Sequence, residues 1–205
     1  MPQPTQVSLV RHGQTPANLE GVWHGSTDTP LTDRGRRQAA RVGLHLERTR
    51  PGLTAVYASA LQRARHTAEP IAARQGLAVE TVDDLREYDL GAWEGKTYRE
   101  LGRDHRLFER MNAEPDWRPG GGESARQVAE RLAGAIRELA ARHAGERIAI
   151  VTHGGALTLA LGLLLDGDAT VWRRVVENAS VTDLVFGPAP QLRRLNHIDH
   201  LWGLR

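Results

Sequence analysis

Along the chain, short apolar runs alternate with longer segments whose apolar positions recur every three or four residues. Val7, Leu9 and Val10 make a short strand, interrupted by Ser8. Thr32 is placed to cap a helix over 33–48, where Ala39, Val42, Gly43 and Leu46 fall on one face. AVYAS (55–59) reads as a strand, a helix follows over about 61–75, and VETV (79–82) is extended again. The clearest helix covers 124–143: Ser124 and Gln127 match a capping box, and Val128, Leu132, Ile136 and Leu139 mark its buried face. RIAIVT (147–152) is apolar without strict alternation, as in a central strand, and it runs through His153-Gly154-Gly155 into the helical ALTLALGLLL (156–165). SVTDLVF (180–186) and QLRRLN (191–196) read as a hairpin around GPAP.

Strands alternating with helices imply βαβ units. The expected fold is an α/β, three-layer α/β/α sandwich around a mostly parallel sheet, with the last hairpin giving an antiparallel edge. The 205 residues suit a single domain, 1–205. Residues 92–122, rich in Gly, Trp, Arg and Pro, break the rhythm and read as a lid-like insertion over one end of the sheet.

Composition narrows the chemistry. The chain has no cysteine, which excludes disulfides, thiolate catalysis and cysteine-based zinc sites. The opening MPQPTQVSLV lacks the pattern of a signal peptide, and the run at 156–165 is too short to span a bilayer, so a cytoplasmic protein without membrane partners is expected. The isoelectric point near 9.5 raises nucleic acid as a partner. However, the formal net charge is only +2, and the arginines are spread among acids without a basic block, so no nucleic-acid partner is expected.

Three strand ends carry matching polar groups. The first gives Arg11 and His12, followed by the turn residues Gly13, Pro16 and Asn18; the second opens towards Arg63; the third ends at His153 before a glycine pair. Parallel strands bring such ends to one edge, where helix N-termini add backbone donors. Two arginines, two imidazoles and oriented amides suit an anion, phosphate above all. Taken singly, each has an ordinary reading: His153 as a helix cap, Arg63 as a surface ion-pair partner.

The runs LVRHGQT, SALQRARHTA, LREYDLGAWEG and VTHGG, in that order, resemble the histidine phosphatase (phosphoglycerate mutase-like) superfamily, and LGAWEG resembles its phosphatase branch. The resemblance implies that His12 takes the phosphoryl group. Arg11, Arg63 and His153, joined by Asn18 and by Gly154 at the helix start, would hold the phosphate oxygens. Glu87 would protonate the leaving oxygen and then assist water, although Glu94 is a near rival. It further implies a small-molecule phosphomonoester substrate, no cofactor and no catalytic metal, and it is compatible with a homodimer. Members that act as mutases typically carry an arginine after the acid; here Tyr88-Asp89 follows Glu87, which favours hydrolysis over a cofactor-dependent mutase. A non-catalytic phospho-ligand-binding domain would be expected to have a broken set, and this set is complete.

Other features weigh less. His197 and His200 form H-x-x-H, but without nearby carboxylates or cysteines to complete a ligand set a metal site is not expected. Asn178-Ala-Ser180 matches a glycosylation acceptor, without meaning unless the chain is secreted. Trp23, His24, Trp93, Tyr98, Phe108, Met111 and Trp117 are divided between packing and roofing the pocket. Arg86, Arg99, Arg103, Arg106 and Arg118 read as solvated surface rather than a polyanion site.

Overall fold

A computed structural model describes residues 3–169 and 176–204. Six strands, β1 (Thr5–Arg11), β2 (Ala55–Ala58), β3 (Val79–Thr81), β4 (Arg147–Thr152), β5 (Val181–Phe186) and β6 (Pro190–His197), form one sheet in the order β3-β2-β4-β1-β5-β6. The first four run parallel, and β5 and β6 add antiparallel pairings at one side. This is the expected mixed α/β architecture. The helices are α1 (Pro16–Glu20), α2 (Asp33–Thr49), α3 (Gln62–Gln75), α4 (Tyr98–His105), α5 (Leu107–Ala113), α6 (Ala125–Arg142) and α7 (Gly154–Leu165).

Alternation along the central strands explains why they are apolar throughout. Ile148 and Ile150 of β4, with Val7 and Leu9 of β1, pack in one core with Leu132 and Ile136 of α6 and Leu157 and Leu161 of α7. Ala149 and Val151, with Val10, Val56 and Ala58, pack in a second core with Val42 and Leu46 of α2 and Ala68 and Ile71 of α3. Each of these central strands is covered on both faces, unlike the edge strands β3 and β6, so apolar residues fill both of their faces. The ALTLALGLLL run lies within α7, which is buried almost all round, and no helix among the described residues is long and apolar enough to cross a membrane.

Ser8, the polar break in β1, has a specific partner. It faces Asp183 across the β1–β5 pairing and donates from Oγ to its Oδ1 at 2.7 Å. Arg50, at the end of α2, holds the other carboxylate oxygen at 2.6 Å. A buried charge is tolerated when its acceptor sites are met in this way.

The 92–122 segment is more ordered than an insertion of loops. Thr97 and Glu100 form a capping box that starts α4, and Arg106, in the left-handed region at φ 48°, turns the chain directly into α5. Leu101, Leu107 and Met111 have no exposed surface and join the α6–α7 core. Each such side chain contributes about 1.5–3 kcal/mol by burial, which seats these two short helices although neither would form alone.

Candidate active site

Strand register fixes where the reactive residues meet. Arg11 pairs with Thr152 and Ala58 with Val151, so β1, β4 and β2 end together and deliver His12, His153 and the start of α3 to one edge. A cavity of about 170 Å³ opens there, and Arg11, His12, Asn18, Arg63, Glu87 and Gly154 all line it. His153 stands directly behind, its ring centroid 5.1 Å from that of His12.

The tautomers follow from the partners. His12 Nδ1 lies 2.7 Å from the Gly13 carbonyl, which can only accept, so Nδ1 carries the proton and Nε2 keeps its lone pair. Burial and the charges of Arg63 and Arg11 hold the His12 pKa well below its ordinary value. The imidazole is therefore neutral at pH 7 and nucleophilic at Nε2. In His153, Nδ1 accepts from Arg63 Nε at 3.2 Å, which leaves the proton on Nε2. Burial and then Arg63 lower its pKa in the same way.

Arg63 is almost wholly buried and is clamped by backbone carbonyls. Nη1 donates to Thr27 at 2.7 Å, and Nη2 to His24 and Gly25 at 3.0 and 2.9 Å. Arg11 donates from Nη1 to the Val176 carbonyl at 2.6 Å. Burial lowers the pKa of both guanidinium groups, yet a guanidinium keeps its charge in a folded protein. Among the described residues, Arg11 Nε and His153 Nε2 are buried polar atoms with no hydrogen-bond partner. Two unspent donors beside two cations form a place for an anion.

The structure separates the two rival glutamates. Glu87 lines the cavity, with Oε1 accepting from Tyr88 N and Ala156 N at 2.8 and 2.7 Å and Oε2 from Gly155 N at 3.0 Å, at the N-terminus of α7. Glu94 instead holds the loop that clamps Arg63, accepting from Ser26 N at 2.7 Å and from Ser26 Oγ at 2.9 Å. The glycine pair is explained by close approach. A Cβ at Gly154 would lie 2.9 Å from Arg11 Nε, and one at Gly155 2.9 Å from Glu87 Oε1.

Asn18 is drawn in by a residue that sequence reasoning missed. Asn178 Nδ2 donates to Asn18 Oδ1 at 3.0 Å and to the His12 carbonyl at 3.2 Å. Asn18 Oδ1 also accepts from Thr15 N and Oγ1, and among the described residues its own amide N–H groups meet no acceptor, which leaves them for a ligand. The glycosylation match at Asn178 gives no hint of this place: the residue is half-buried against the end of β1. Of the aromatic candidates, Trp23, His24, Tyr98 and Phe108 line the cavity. Met111 is wholly buried, while Trp93 and Trp117 pack on each other at 5.5 Å, with the Arg110 guanidinium 3.8 Å over Trp117.

Comparison with known proteins agrees with this geometry. The family model of the histidine phosphatase superfamily (branch 1) matches residues 7–197. The chain belongs to the histidine phosphatase superfamily. This histidine phosphatase is 37% identical over 191 residues to a protein named probable phosphoglycerate mutase GpmB from Klebsiella pneumoniae, covering 91% of this chain and 87% of that one. Among solved structures, it is similar to a phosphoserine phosphatase from Entamoeba histolytica in complex with 3-phosphoglyceric acid, with a TM-score of 0.86, 28% identity, and 96% and 99% of the two chains covered. It also resembles the mycobacterial glucosyl-3-phosphoglycerate phosphatase Rv2419c, with a TM-score of 0.83, 30% identity, and 96% and 100% covered. The chain is an enzyme of the histidine phosphatase type.

Proposed function

We propose that this enzyme hydrolyses small phosphomonoesters through a phosphoryl group carried on His12. The observation that carries the reading is the pairing of a lone pair on His12 Nε2 with buried donors on Arg11 and His153 that no described protein group uses.

In the first step His12 Nε2 attacks phosphorus, an N–P bond forms, and the ester P–O bond breaks. The leaving oxygen takes a proton from Glu87. The charge on the equatorial oxygens is met by Arg11, Arg63, His153 and Asn18, fixed before reaction and thus needing little reorganisation. In the second step Glu87 takes a proton from water, the water oxygen attacks phosphorus, and the N–P bond breaks to release phosphate and free His12.

Hydrolysis is favoured over phosphoryl return to a bound acceptor by the residue after Glu87. Tyr88 is wholly buried, edge-on to Trp23 at 5.8 Å, and offers no charge to a substrate carboxylate. The names of the structural neighbours support phosphorylated hydroxy acids and related small metabolites as the first substrates to try.

The test is phosphate release from a panel of phosphomonoesters in excess EDTA, including phosphoserine and 3-phosphoglycerate. Wild type is expected to turn over at least one of them, and His12→Ala to lose about a thousandfold or more. Rapid quenching should trap an acid-labile, base-stable phosphohistidine in the wild type only. No release from any ester, or turnover retained by His12→Ala, would overturn the reading.

A further inference from the structure

The second histidine cluster lies away from the cavity, where the end of β6 meets α2. His45 of α2 stacks against His200 and His197 with ring centroids 4.7 and 5.1 Å apart, and the latter two are 5.9 Å from each other. One ring nitrogen from each lies within 4.8 Å of those from the other two. The turn partners fix two tautomers. His197 Nε2 donates to Asp199 Oδ2 at 3.1 Å, and His200 Nε2 to the Ala179 carbonyl at 2.9 Å. Both partners can only accept, so the Nδ1 atoms of His197 and His200 carry lone pairs. Both Nδ1 atoms are buried, and among the described residues neither has a hydrogen-bond donor facing it.

We propose that His45, His197 and His200 form a site for a divalent transition metal of the zinc class. Three neutral imidazoles are a borderline-soft nitrogen set, suited to zinc, copper or nickel and not to magnesium or calcium. Asp199 and the Ala179 carbonyl stand as the outer partners that orient metal-binding imidazoles. Zinc–nitrogen bonds of about 2.0–2.1 Å set ligand nitrogens roughly 3.3 Å apart, so metal binding must draw the three rings together and turn them from near-parallel towards a common point. Three protein ligands leave a fourth position for water.

The metal would tie α2 to the segment after β6 and brace the catalytic edge. The carbonyl held by His200 belongs to Ala179, in the left-handed region at φ 59°, whose N–H reaches the Arg11 and His12 carbonyls at 3.0 and 3.1 Å. Asp199, inside the H-x-x-H stretch, supplies the carboxylate that the spacing was expected to lack, and only the fold brings His45 beside it.

The test titrates EDTA-stripped, desalted protein with zinc against a chromogenic chelator, and with cobalt while recording visible absorption. Wild type is expected to take up one equivalent of zinc, give an intense four-coordinate cobalt spectrum and melt at a higher temperature with zinc. His45→Ala and His197→Gln, checked for folding by circular dichroism without metal, should each bind about a hundredfold more weakly, while His12→Ala binds as wild type does. Zinc uptake no tighter than in His45→Ala, or loss in His12→Ala with retention in both cluster variants, overturns the proposal. If one cluster variant fails to fold, the other and the cobalt spectrum decide.

Discussion

The molecule uses clustered histidines twice, with opposite polarity. At the catalytic edge, Arg63 donates into His153 Nδ1 and the Gly13 carbonyl takes the His12 Nδ1 proton. What the two rings leave there is one lone pair, on His12, and one N–H donor, on His153, beside two cations. At the end of β6, a carboxylate and a carbonyl accept from Nε2 of His197 and His200, and lone pairs are left on their buried Nδ1 atoms. Ring spacing is nearly the same in the two places. The residue type therefore does not decide between an anion site and a cation site; the groups bonded to the far nitrogens do.

The sharpest way to break this contrast is to take Arg63 away. Arg63→Met leaves the carbonyls of His24, Gly25 and Thr27 without the donors that Arg63 supplies and turns His153 Nδ1 into a bare lone pair. Removing one preorganised donor typically costs 10²–10³ in rate, and this change also removes a cation, so kcat/KM should fall by about a thousandfold or more. Unpaired buried acceptors cost about 1–3 kcal/mol each, so urea unfolding should show a loss of roughly 3 kcal/mol or more. Arg63→Lys should not rescue activity, because an ammonium cannot reach Nδ1 and three carbonyls in one plane. Recovery to within about threefold of wild type by lysine would refute the role given to the guanidinium fork.

Some of this was legible in the chain, and the boundary has physical causes. β4, α6 and the β5–β6 hairpin fall where periodicity puts them, because each buries a regular face. α1 is only five residues long and opens with Pro16, so its capping box of Thr15 and Asn18 looks like turn chemistry. α4 and α5 are short, and Leu101, Leu107 and Met111 make sense only once the α6–α7 core is there to receive them. Of the site, residues that follow strand ends could be read directly. Asn178 and His45 could not, since each acts on partners far away in sequence, and only the completed sheet brings them together. Glu87 and Glu94 could not be told apart by spacing, because that choice depends on which carboxylate reaches the α7 N-terminus.

Both clusters should make stability depend on pH, with the same sign. His12, His153, His45 and His200 all have folded pKa values below the ordinary 6.5. Below that pH the unfolded chain binds protons that the folded chain refuses, so unfolding free energy rises with pH up to about 6.5 and then levels. Each proton taken up on unfolding contributes about 1.4 kcal/mol per pH unit. Urea melts between pH 5 and 6.5 should give a slope of two to four protons, roughly 3–6 kcal/mol per unit. His153→Asn and His200→Gln should each reduce it by about one proton, from opposite clusters. A flat profile over that window would mean that the imidazoles protonate freely in the folded state.

The smallest expected effect tests the finest distinction, between the two glutamates. Glu94 does not line the cavity; it holds Ser26 and Thr27, whose loop supplies the carbonyls that fix Arg63. Glu94→Gln keeps one acceptor oxygen and the shape, so stability should drop by only about 0.5–1.5 kcal/mol. The Arg63 fork loosens, and kcat/KM should fall less than tenfold, with the pH profile unmoved. Glu87→Gln, by contrast, removes the group that carries the proton, and should cost about 10²–10⁴ in kcat and abolish the limb of the profile that reports it. A changed pH profile in Glu94→Gln, or an unchanged one in Glu87→Gln, would exchange the roles of the two carboxylates.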